Sequence, residues 1–198
     1  TAGSGHYIQQ VKQQIYEGTT LDVVSGDFQV CSHSLANIDH LSILTDGTLI
    51  LRNNSKIFSN CTSTNAGIMV GNHGRLKIQN SNGLYDGTNN AAISAGCNMD
   101  YYLFPHSIIE YMSDDNQKLT GIGVGKATAS KHKYGILEIN HGGTLGQEWV
   151  YLTSVGTVSV RQQLVLRKGE LNLSTSNVYP RDASAGGNFI LIENPMDT

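Results

Sequence analysis

The chain has 198 residues, enough for one sizeable domain and too few for two comfortable ones. Asp, Glu, Lys and Arg make up 15% of it, against roughly 25% in an ordinary soluble domain, and the net charge is −3. Lys and Arg are scattered without a basic stripe, and no apolar run approaches the roughly 18 residues of a membrane span; neither a nucleic-acid partner nor membrane insertion is expected. The 22 Gly, 3 Pro and plentiful Ser, Thr and Asn point to many short strands joined by tight turns. The N-terminal TAGSGHYIQQ has no basic n-region and no apolar h-region. Without an initiator Met, and ending at NPMDT, the chain reads as a mature or excised piece of a longer, multi-domain polypeptide.

Taken in chain order, HYIQQVKQQIYE (6–17) places Ile8, Val11 and Ile15 at helical spacing. It reads either as a short N-terminal cap over an open end or as an irregular first coil. Strand-like runs follow: LDVV (21–24), HLSIL (40–44), IMV (68–70), SIIEYM (107–112), TVSV (157–160), QLVL (163–166) and NFILI (188–192).

Four segments among these align without gaps: GTLILRNNSKIF from Gly47, GRLKIQNSNGLY from Gly74, GILEINHGGTLG from Gly135 and GELNLSTSNVYP from Gly169. Each begins with Gly. Leu49, Leu76, Leu137 and Leu171 follow two residues on, and Leu51, Ile78, Ile139 and Leu173 two residues after that. A period of two puts both aliphatics on one strand face. The leading Gly suits a sharp turn with positive φ. A polar turn and a closing residue (Ile57, Leu84, Leu145, Tyr179) complete the unit. The gap from Gly74 to Gly135 is about twice the others, which places a distorted unit inside it. Such coils expose an apolar face that only stacking buries. The predicted fold is therefore all-β: a right-handed parallel β-helix, or β-solenoid, of irregular coil length, forming a single domain over 1–198. Asn53 and Asn80 share one repeat position, where they either form an amide ladder or simply suit the turn.

The stretches SIIEYMSDDNQKLTGIG, YGILEINHGGTLGQEWVYLTSVGTVSVRQQLVLRKGELNLSTSN and IDHLSILTDGTLILRNNS resemble repeats of large secreted surface proteins of the Bacteroidota. Tyr111, Gln117 and Leu119, then Leu137 and Ile139, then Val158, Val160, Leu164, Leu166, Gly169, Leu171 and Leu173 carry the resemblance. It covers about half of the chain. It implies an adhesin-like or structural segment, secreted or at the cell surface, exported by a type IX route. The implied partners are flanking domains of the same polypeptide, surface glycans or the secretion machinery. The departures are three Cys and a Tyr- and Asp-bearing insertion at 99–104.

Little chemistry is concentrated in the sequence. Cys31, Cys61 and Cys97 show no metal or redox spacing and read as buried thiols. If one pair is oxidised, Cys61 with Cys97 is expected. His6, His33, His40, His73, His106, His132 and His141 form no short-spaced ligand pair and read as turn or surface residues. Asp114 and Asp115 could offer oxygens to calcium in a turn, although a solvated turn is the plainer reading, since EF-hand spacing and the Gly-Asp nonapeptide are both missing. The run from Gly121 to Lys126 lacks the ending of a phosphate loop. Tyr101, Tyr102, Phe104 and Tyr111, if exposed, could stack on sugar rings. A polysaccharide lyase or hydrolase would have to draw on Glu110, Asp114, Asp115 and Lys118. With ionisable groups so sparse, no catalytic residue and no cofactor are expected, and the chain reads as non-enzymatic.

Overall fold

The computed structural model describes residues 7–9, 13–30, 41–58, 67–94, 100–121, 133–142, 149–152, 158–172, 178–180 and 189–192. The first coil consists of β1 (Tyr7–Gln9), β2 (Gln13–Ile15) and β3 (Thr20–Val23). The second consists of β4 (Phe28–Val30), β5 (Leu41–Ile43) and β6 (Thr48–Leu51), and the third of β7 (Ile57–Phe58), β8 (Gly67–Val70) and β9 (Arg75–Ile78). Then follow β10 (Asp100–Leu103), β11 (Ile108–Tyr111), β12 (Gln117–Leu119), β13 (Tyr134–Asn140) and β14 (Trp149–Leu152). The last are β15 (Val158–Lys168), β16 (Glu170–Asn172), β17 (Val178–Pro180) and β18 (Phe189–Ile192).

The protein is a parallel β-solenoid. Its largest sheet runs β3-β6-β9-β11-β13-β15-β17, with β18 also on β15, and every pairing in it is parallel. A second face runs β2-β5-β8-β10. A third is β1-β4-β7 in the early coils, and β12-β14-β16 forms a further sheet in the later ones. No helix occurs among the described residues. The segment with helical spacing at 6–17 contains β1 and β2 instead, so it belongs to a first coil. Pairing of Ile15 with Ile43 in the next coil overrides the local 3.6-residue pattern.

Two columns of register partners run through the main sheet. Leu21, Leu49, Leu76, Ile109, Leu137, Leu164 and Ile190 are register partners in succession, as are Val23, Leu51, Ile78, Tyr111, Ile139, Leu166 and Ile192. Leu49, Leu51, Leu76, Ile78, Leu137 and Ile139 are all fully buried, as the repeat requires. The coils are more regular than the sequence suggests. Their lengths are 28 (21 to 49), 27 (49 to 76), 33 (76 to 109), 28 (109 to 137), 27 (137 to 164) and 26 residues (164 to 190). The hidden unit is β11, with Ser107 at the Gly position and Tyr111 at the second aliphatic position.

The fourth aligned segment is out of register. The true successor of Leu137 is Leu164, whereas Leu171 pairs with Val150 in the β12-β14-β16 sheet. Leu171 is partly buried against the core, and Leu173 lies outside the described residues. The Gly-Glu-Leu-Asn-Leu string imitates the repeat locally but occupies another face of the coil. The supposed insertion at 99–104 is likewise a regular rung, because β10 pairs along β8. The extra length of the 33-residue coil lies just before it. There the chain loops out after Leu84 and is closed by Ala92 N donating to Gly83 O (2.9 Å) and Ile93 N donating to Leu84 O (2.8 Å).

Of the four leading glycines, Gly169 takes the expected positive φ (87°), whereas Gly47, Gly74 and Gly135 serve packing instead. Gly47, Gly74 and Gly135 are absent from the positive-φ residues, but a Cβ at Gly74 would stand 2.6 Å from Ile43 O and 2.9 Å from Leu44 O. The main chain of the preceding coil lies directly beneath. Gly74→Ala is therefore expected to destabilise the protein by about 1–3 kcal/mol, the usual cost of overpacking. Urea denaturation checks this, with an unchanged midpoint as the contrary result.

Asn53 and Asn80 lie in neighbouring coils, but no bond joins their two amides. Asn53 Nδ2 donates to Val24 O (2.9 Å), and Asn80 Nδ2 donates to Asn54 O (3.3 Å) and Asn90 O (2.9 Å). Each amide thus ties its turn to the main chain of the coil before it. Where the early third face gives way to β12, a buried polar knot fills the core. Tyr134 OH donates to Thr120 O (2.9 Å), so the proton of the 2.7 Å Tyr111–Tyr134 contact comes from Tyr111. Thr120 Oγ1 bonds both main-chain groups of Tyr85. Burial pushes both the Tyr111 and the Tyr134 hydroxyl above the ordinary phenol range, so both stay neutral donors.

Candidate functional site

The outward face of the main sheet carries the densest charge among the described residues. Strand alternation turns Ile109 and Tyr111 into the core and Glu110 outward; Leu137 and Ile139 do the same for Glu138. Lys77, Glu110 and Glu138 are register partners in succession on β9, β11 and β13. Two carboxylates directly opposite on adjacent strands repel. Arg75 resolves this: its Nη1 donates to Glu110 Oε2 (2.8 Å) and Glu138 Oε2 (2.5 Å). Lys77 Nζ lies 3.1 Å from Glu110 Oε2, and Asn140 Nδ2 donates to Glu110 Oε1 (2.8 Å). Arg167 reaches Glu138 Oε1 at 3.3 Å from the next coil.

The glutamates are buried under these stems, with 2% of Glu110 and 3% of Glu138 exposed, while the cations are partly exposed. Burial on its own would raise the Glu110 pKa. The Asn140 amide and the Lys77 and Arg75 cations outweigh it and hold the carboxyl below its usual range. For Arg75, burial opposes the charge, and the two glutamates more than restore it. The network can therefore lock four successive coils together, from β9 through β11 and β13 to β15. Glu110 is thereby favoured in its charged form.

The residues singled out in the sequence do not converge. Tyr101 and Tyr111 are buried in the core, so the four-ring stacking platform does not exist. Tyr102 is half-buried and Phe104 is 39% exposed. Tyr101 packs its ring against Tyr85, with centroids 5.4 Å apart, because its strand is a regular rung. Asp114 and Asp115 are exposed in the turn after β11. Asp115 N donates to Ser113 Oγ (3.1 Å), and Asp114 Oδ1 closes over Gly142. Among the described residues, no three His, Cys, Asp or Glu side chains gather as a metal cluster. Lys118 Nζ bonds Asn82 Oδ1 (3.0 Å) on its own face, so it does not join Glu110.

His141 is fully buried, unlike the turn or surface residue expected, and its Nε2 lies 2.6 Å from Asp115 O. A carbonyl only accepts, so Nε2 carries the proton. His73 and His106 do lie on exposed turns. His6, His33, His40, His132, all three cysteines and most of the run from Gly121 to Lys126 lie outside the described residues. Sequence reasoning missed Arg75, Glu138 and Arg167. The alternation of charge with aliphatics in RLKI and ILEIN was the available signal.

Fold and face together define a parallel β-solenoid with an ion-pair network on one sheet. Among the described residues no helix is long and apolar enough to cross a membrane. Comparison with protein-family models, with curated proteins and with solved structures finds no match.

Proposed function

We propose that this chain is a structural or adhesive segment of a bacterial surface or secreted protein, a stack of coils that holds other parts of the same polypeptide at a distance. The observation that carries this reading is the unbroken pair of register columns, from Leu21 to Ile190 and from Val23 to Ile192. Each coil adds length without changing cross-section, and the stiffness follows from main-chain bonds repeated coil after coil. The charged face supports the same reading. Its glutamates are occupied by neighbouring cations and an amide, whereas acid–base catalysis needs paired groups whose environments drive their pKa values apart. The low charge and the Ser-, Asn- and Thr-rich turns suit an exposed, extracellular exterior.

Incubation with a panel of acidic and neutral polysaccharides is expected to give no turnover. Cleavage that disappears in Glu110→Gln or Glu138→Gln would replace this reading with a β-helix lyase or hydrolase. Retention of a glycan or of cell envelopes without cleavage would favour the adhesive form over a pure spacer.

A further inference from the structure

The corner between the second face and the main sheet is a stack of four β-turns. Thr19 N donates to Tyr16 O, Gly47 N to Leu44 O, Gly74 N to Gly71 O and Ser107 N to Phe104 O, each at 3.0 Å. The third residue of these turns is in order Gly18, Asp46, His73 and His106. Gly18, Asp46 and His73 have φ of 68°, 55° and 59°, as type II turns require. Successive turns are bonded to one another: Gly18 N donates to Asp46 O (3.2 Å) and His73 N to His106 O (2.9 Å). His106 N also donates to Asn72 Oδ1 (3.1 Å), which fixes the last two turns relative to each other. The two imidazoles lie one above the other, ring centroids 5.6 Å apart and planes 11° from parallel, and both are exposed.

We propose that His73 and His106 form an open site for a transition-metal cation of the zinc class. Neighbouring coils hold their Cα atoms about 4.8 Å apart. Zinc binds imidazole nitrogen at about 2.0–2.1 Å, so two tetrahedral ligands have nitrogens about 3.3 Å from each other. Rotation about χ2, a broad torsion for His, turns each ring about its Cβ–Cγ bond from stacked to edge-on, so that a nitrogen on the edge of each ring faces the other without moving the main chain. Imidazole is a ligand for zinc, nickel and copper but not for magnesium. Asp46 occupies the same column one coil earlier, where a carboxylate favours cation approach. Since no third His, Cys, Asp or Glu joins the pair among the described residues, solvent completes the coordination and the metal exchanges freely. Metal would clip the 33-residue coil to its neighbour, where the loop after Leu84 makes the stack longest between rungs.

Zinc and nickel titrations of the full chain by calorimetry, with melting followed in parallel, test the site. The expected result is binding by both cations, a rise in Tm with zinc and none with magnesium. His73→Asn keeps a residue that tolerates the left-handed turn and removes the imidazole, and His106→Asn removes the other. Each is expected to weaken this binding event at least tenfold while leaving the metal-free Tm near that of the parent. A parent chain that binds no zinc overturns the proposal. So does zinc binding that is unchanged in the double variant, which would place the metal on other histidines or on cysteines.

Discussion

Ile78→Ala is expected to cost about 2–5 kcal/mol, the range for emptying a fully buried aliphatic site. Ile78 is completely buried and stands in the second column between Leu51 and Tyr111. It is also the last residue of its column before the coil widens. Its neighbours belong to different coils and are each held by a ladder of parallel main-chain bonds, so they cannot collapse into the space independently. The cavity therefore persists, and the cost falls in the upper part of that range. Urea denaturation of the variant and the parent gives the difference directly. A loss below about 1 kcal/mol would mean that the column is not the continuous core described. Ile50→Ala is the internal comparison: Ile50 alternates to the outward face and is only half-buried, so it should cost clearly less.

Arg75→Ala is expected to have the next largest effect. It leaves Glu110 and Glu138 facing each other from adjacent strands, both buried, with Lys77 and Arg167 as their remaining cations. The expected loss is about 2–3 kcal/mol, below the roughly 3–5 of a fully buried pair because the Arg75 side chain keeps 25% exposure to solvent. Arg75→Lys should not fully restore it, since one ammonium cannot keep both the bridge that Nη1 makes to the two carboxylates and the second contact, Nη2 to Glu138 Oε1 (3.4 Å). Adding Glu138→Gln to Arg75→Ala should recover part of the loss by removing the repulsion. A double variant as unstable as the single one would show that the guanidinium acts through packing alone.

The same network sets a dependence on pH. The Glu110 carboxyl is held below its unfolded value, 4.5, chiefly against the opposing effect of its own burial. Its contribution is therefore fully present above the unfolded value and is lost as pH falls through the lower folded one. The urea midpoint should be flat from pH 7 to 5 and decline below 4.5, and the decline should be smaller in Glu110→Gln. An equal decline in both proteins would assign the acid sensitivity to other carboxylates.

The sequence revealed the core more readily than the outer face. The pair of aliphatics two residues apart, as in Leu49 with Leu51 and Leu76 with Ile78, is a direct record of strand alternation, and those side chains fill the columns. Register was legible only where Gly preceded the pair. At β11 a serine and a tyrosine take the places of Gly and the aliphatic, and the rung was hidden. At Gly169 the opposite happened: a strand of another face carries the same local pattern, and pattern alone does not say which face a strand occupies. The helical spacing of Ile8, Val11 and Ile15 left a cap and a first coil both open for the same reason, since the pairing to the next coil that decides for the coil is a long-range fact. The alternation hinted at a charged face, but its pairings and the histidine pair were not legible, because they bring together residues one or two coils apart. Arg75 and Glu138 are joined only by the stacking, as are His73 and His106.

If the molecule is a stack whose length is set by coil number, coils should be interchangeable units. Residues 48–74 comprise one 27-residue coil, from the start of β6 to the turn before β9. A chain carrying three further tandem copies of this segment is the most direct test, with small-angle X-ray scattering and a urea melt as readouts. The copies present the Leu49 and Leu51 pair again at the correct spacing, so each should dock on the last. Strands in a sheet are about 4.8 Å apart, so the longest dimension should grow by about 14 Å with an unchanged cross-section and a stability no lower than the parent's. A thicker particle, an unchanged length or loss of cooperative folding would contradict the account.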